Sequence, residues 1–100
     1  MRFHLITDSA DAATGLRLAG VRSTVVSEPE ELAKALADAK ADPGVGVVLI
    51  TQGLYDRSSA QVDDFKRENN MPLVTEIPES GADYKTDAIA RYVQAAIGVG

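Results

Sequence analysis

Residues 45–51 read VGVVLIT, an almost unbroken apolar run that ends on a threonine. A strand with one face in water alternates apolar and polar residues, whereas a strand covered on both faces does not. The run is far too short to cross a bilayer. It follows Asp42-Pro43-Gly44, a stop signal for the helical pattern before it. The stretch therefore predicts the central strand of a parallel sheet with helices on both sides.

Toward the N-terminus, Leu32, Leu36 and Ala39 recur at spacings of four and three, the stripe of an amphipathic helix. Ser27-Glu28-Pro29-Glu30 marks its start as a capping box with proline in the first turn. Residues 22–26, RSTVV, are rich in β-branched side chains and predict a strand. A short helix runs before them to about Ala19. Asp8, Ser9 and Asp11 open it with side-chain oxygens that accept from unpaired backbone N–H groups, and Gly20 ends it in a left-handed conformation. The first strand is Arg2–Thr7, apolar at Phe3, Leu5 and Ile6.

Toward the C-terminus, a third helix covers 60–68 with Val62 and Phe65 inward, but 54–59 gives it no definite beginning. Asn69-Asn70 ends it, and 71–77 reads as a fourth strand. A last helix is expected at 86–97, where Ile89, Tyr92, Val93, Ala96 and Ile97 hold helical spacing. Strands that alternate with helices imply right-handed crossovers and a single α/β domain over 1–100. The expected architecture is a small doubly wound domain with a four-stranded parallel sheet in the order 2-1-3-4. This is a flavodoxin- or receiver-like winding, truncated by one strand. It divides into a sheet domain (1–78), a loop (79–85) and a C-terminal helix (86–97) that no fifth strand clamps.

Composition narrows the chemistry. The 100 residues are 45% hydrophobic and 25% charged, values of a globular chain. With no cysteine and one histidine, neither a disulfide framework, a thiolate nucleophile nor a histidine zinc cluster can form. A net charge of −5 without a basic stripe argues against nucleic acid and anionic membrane as partners. No stretch is long enough for direct membrane insertion. The N-terminus enters a strand without the basic-then-apolar pattern of a signal peptide, so a cytoplasmic location is expected.

Ligands of doubly wound sheets gather where the strand order reverses, here beside Asp8–Asp11 and Thr51-Gln52-Gly53. A phospho-accepting receiver domain needs an aspartate at the end of the third strand and a lysine after a fifth. The chain has Thr51-Gln52 and no fifth strand. Two acidic residues make a poor cation site, and helix capping accounts for them more simply. Gly15 and Gly20 stand five apart as in a phosphate loop, but Val21-Arg22 replace the lysine and hydroxyl that must follow. His4 lies inside a strand and reads as a packed or hydrogen-bonded residue. No serine has an identifiable base. Tyr55, Tyr84 and Tyr92 lack the basic neighbours of a base-stacking platform. No catalytic residue, cofactor or metal is indicated.

Three segments, collinear along the chain, resemble the F subunit of the V-type and archaeal-type (A-type) rotary ATPases. TGLRLAGV at 14–21 is close to that family's TGFRLAG signature, GVVLIT at 46–51 is similar to its third strand, and MPLVTEIP at 71–78 is similar to LPxxxEIP. The chain departs from the pattern at Thr7-Asp8, where many members have glycine-aspartate, and over 54–59. The resemblance implies a non-catalytic central-stalk (rotor) subunit, peripheral to the membrane as part of the complex. It would bind the coiled-coil D subunit of the shaft and support coupling of ATP hydrolysis or synthesis to ion transport. It also implies contact with the A/B headpiece through a C-terminal helix that moves, and with the membrane-rotor adaptor subunit. By analogy the candidate contact residues are Arg17, Val25, Leu32, Leu36, Ile89, Val93 and Ile97. The alternative is a receiver-like regulatory domain that binds another protein or a small ligand at the strand-end crevice.

Overall fold

Every residue of β3 (Val45–Thr51) is buried. It lies between β1 (Arg2–Thr7) and β4 (Leu73–Ile77), and β2 (Arg22–Val25) forms the edge beyond β1. The computed structural model describes residues 2–77. All three strand pairs are parallel, in the order β2-β1-β3-β4, as the alternation of elements predicts. The helices are α1 (Ala10–Leu18), α2 (Pro29–Ala41), α3 (Gln52–Arg57) and α4 (Ser59–Glu68). The expected helix at 86–97 and loop at 79–85 lie outside the described residues.

Two apolar layers explain why β3 carries no polar alternation. Val45, Val48 and Ile50 join Ile6, Leu32, Leu36, Leu54 and Val62 in the layer beneath α2, α3 and α4. Val47 and Leu49 join Leu5, Ala12, Leu16 and Ile77 in the layer that includes α1. Both faces of the strand are thus removed from water, each large side chain contributing roughly 1.5–3 kcal/mol of transfer free energy. The register contains one irregularity. Arg2 pairs with Val45 and Phe3 with Val47, so Gly46 is passed over, and a residue without a side chain tolerates that bulge.

Local signals place the helix ends closely but not everywhere. Ser9 caps α1, its hydroxyl accepting from the Ala12 amide at 3.1 Å, and Gly20 ends the turn after α1 at φ +85°. The capping box of α2 sits one residue later than the sequence suggests. Glu28 is the N-cap, which puts Pro29 at the first helical position where its missing N–H costs nothing. Glu31 closes the box, its carboxylate accepting from the amides of Ser27 and Glu28 and from the Ser27 hydroxyl at 2.7–3.0 Å.

The stretch after β3 differs from expectation. Helix begins at once with α3 and restarts as α4, with Ser58 serving as the last cap of one and the first of the other. Tyr55 ties the two together, its hydroxyl donating to Asp63 at 2.9 Å. β4 begins at Leu73 rather than at Met71, because Pro72 has no amide hydrogen for a ladder.

Candidate partner-binding surface

The crevice at the switch point is occupied by the protein's own contacts. Thr7 and Thr51, at the ends of β1 and β3, are fully buried and share a hydrogen bond of 2.9 Å between their hydroxyls. Thr7 Oγ1 also accepts from the Ser9 amide at 3.0 Å, which fixes the entry to α1. Asp8 forms an ion pair with Arg57 of α3 rather than capping a helix. No group of three or more His, Cys, Asp or Glu is placed to hold a metal among the described residues. The end of β3 offers Thr51 where a receiver domain presents an aspartate.

The candidate contact residues separate into two kinds. Leu32 and Leu36 belong to the core, 1% and 3% exposed, so the surface that α2 presents is not made by them. Its exposed residues include Glu30, Ala33, Lys34, Ala37, Asp38 and Lys40. Between α2 and α4 runs a shallow groove of about 320 Å³, lined in part by Ala33, Ala37 and Phe65. Arg17 is exposed in the last turn of α1, where a cation meets the negative end of the helix dipole. Val25 is 51% exposed on the edge strand. Ile89, Val93 and Ile97 lie outside the described residues.

Beside Arg17 stands the most exposed large apolar side chain among the described residues. Leu18, at the end of α1, is 85% exposed, while Leu16 two positions earlier is fully buried. Residues two apart on a helix face different directions, so the spacing within TGLRLAGV carries that information. α1 packs against the edge strand β2, with Arg17 and Leu18 at the end of α1 and Val25 at the far end of β2. This edge carries a cation and exposed apolar groups, and no strand among the described residues pairs with the outer side of β2. No helix among the described residues is long and apolar enough to cross a membrane.

Known proteins are similar to the chain along nearly its whole length. It is 26% identical over 97 aligned residues to the F subunit of the A-type ATP synthase of Methanothermobacter thermautotrophicus, covering 94% of this chain and 91% of that protein. It is also 26% identical over 102 aligned positions to the F subunit of the A-type ATP synthase of Methanococcus maripaludis, covering 99% and 97%. Residues 4–93, which run from within β1 past the end of β4, match the ATP synthase (F/14-kDa) subunit family, and the chain belongs to that family.

Proposed function

We propose that this chain is the non-catalytic central-stalk subunit of a V/A-type ATPase or ATP synthase, and that it binds the coiled-coil D subunit of the shaft. The observation that carries the reading is the family match over residues 4–93, with two near-full-length relatives that are F subunits of A-type ATP synthases. The strand-end crevice supports it too, since Thr7, Thr51 and Asp8 make contacts within the chain there. In this role the protein contributes surface rather than chemistry. ATP is handled by the A/B headpiece, and the chain works at the cytoplasmic side of the membrane as a peripheral part of the complex.

The shaft contact would be made at the α1–β2 edge through Arg17, Leu18 and Val25. The stripe Ile89, Val93 and Ile97 would reach the headpiece, exchanging contacts with its own sheet for contacts with a partner. The membrane-rotor adaptor subunit would sit at the lower end of the same stalk. Co-expression with the coiled-coil subunit of the same complex tests the first contact: a stable one-to-one pair is expected on size exclusion. Adding the chain to a headpiece that already carries the shaft should change ATP turnover. If the two proteins elute separately at micromolar concentration, and turnover is the same with and without the chain, the reading is wrong.

A further inference from the structure

At the amino-terminal end of the sheet the surface holds a depression of about 410 Å³, within the size range of small-ligand sites. Parallel pairing sets His4 beside Arg22, and strand alternation puts Arg2 on the same face as His4. Val45, from the layer on that face, and the turn at 19–21 line it as well.

The basic groups are in different states. Arg2 is engaged, its Nη2 donating to both oxygens of Asp42 at 2.7 and 2.8 Å. Gly44 makes room for that geometry, because a Cβ there would lie 2.4 Å from the same nitrogen. Asp42 also accepts from the Gly44 amide at 2.8 Å, so its charge is largely satisfied within the turn. Arg22 is exposed and has no hydrogen-bond or ion-pair partner among the described residues. His4 Nε2 is hydrogen-bonded to Thr24 Oγ1 at 2.8 Å, so its other ring nitrogen remains for a ligand. Burial, then Arg2, and also Arg22 hold the His4 pKa below its ordinary 6.5, with Asp42 opposing them. Two guanidiniums thus stand beside one carboxylate here, in a chain whose net charge is −5.

We propose that this depression binds a small organic anion, its phosphate or carboxylate head held by Arg22 and His4 and its apolar body lying against Val45 and the turn at 19–21. A single guanidinium with an imidazole can make charge-assisted bonds to such a head. An anion beside His4 favours the charged imidazole, so binding takes up a proton and strengthens as the pH falls toward the lowered pKa of the free imidazole. Arg2, Arg22 and Asp42 are the charged groups facing His4 in this linkage.

The test is amide NMR of the full chain at constant ionic strength, titrated separately with benzoate, phenyl phosphate and benzyl alcohol. The two anions should give saturable shifts confined to residues near 2–4, 19–24 and 42–45, with Kd on the order of 1 mM. Benzyl alcohol should give none, and inorganic phosphate should bind about tenfold more weakly than phenyl phosphate for want of the ring. Arg22→Gln should weaken benzoate binding about tenfold, while Lys34→Gln on α2 leaves it unchanged. Benzoate keeps a constant charge between pH 6 and 8, so tighter binding at pH 6 reports His4. Diffuse shifts, an Arg22→Gln variant that binds like the parent, or equal binding of benzyl alcohol would each overturn the proposal.

Discussion

The hydroxyl pair between Thr7 and Thr51 shows how a single buried bond organises the switch point. Both side chains are fully buried, yet each polar atom has a partner. Thr7 also receives the Ser9 amide, so its loss orphans two groups and the loss of Thr51 only one. Thr7→Val should therefore cost about 1–3 kcal/mol and Thr51→Val less, since a stranded buried polar group carries the full desolvation penalty. The double variant should be little worse than Thr7→Val alone. Urea unfolding of the four proteins checks this, and strict additivity would show the two hydroxyls to be independent. Glu31 gives the corresponding test in pH. The Ser27 hydroxyl, then the Ser27 and Glu28 amides, favour its ionised form and lower its pKa from 4.5. A depressed carboxylate stabilises the fold above its unfolded pKa, and that contribution fades as the pH falls from about 4.5 through the folded value. Glu31→Ala should melt below the parent at pH 7, with the gap closing on acidification.

Among the elements, α1 owes its length to Gly20. At φ +85° that residue occupies the left-handed region, and the space where a Cβ would stand is empty. The cost of Gly20→Ala is therefore conformational rather than steric, about 1–2 kcal/mol, and Gly20→Asn should cost less because asparagine tolerates this region. Thermal melts of the two variants measure it. These ends were legible because each is written in a residue with a local reason: Ser9 as cap, Pro29 at a first turn, Gly20 as stop. β3 was legible for a global reason, since only burial on two faces permits its composition. The 52–58 segment was not. Its one core residue is Leu54, too few to show a helical stripe, and α3 is held by its link to α4 through Tyr55 and Asp63. Met71 read as strand by hydropathy, but it is 60% exposed and β4 pairs only from Leu73. Exposure was least legible, because an apolar-periodicity criterion selects residues such as Leu32 and Leu36 that fill the core. Leu18 escapes that criterion by facing outward.

For the whole molecule, apolar residues thus fall into those that hold the fold and those left exposed, and the two sets should answer different measurements. Leu36 is 3% exposed in the layer beneath α2, so Leu36→Ala leaves a cavity and should cost about 2–5 kcal/mol. Its effect on shaft binding should follow the folded fraction alone and vanish where the variant is fully folded. Leu18 at 85% exposure and Val25 at 51% make few contacts to lose, so charged substitutions there should change stability by no more than about 0.5 kcal/mol. The same substitutions should weaken the complex sharply if the α1–β2 edge meets the shaft, because a carboxylate would be buried without a partner. Leu18→Glu with Val25→Glu is expected to lower affinity for the coiled-coil subunit by at least about tenfold. Isothermal titration of folded variants gives the affinity, and urea midpoints give the stability. A double variant that still binds like the parent would move the shaft contact away from this edge. The α2–α4 groove, with Ala33, Ala37 and Phe65 along it, would then be the next surface to test.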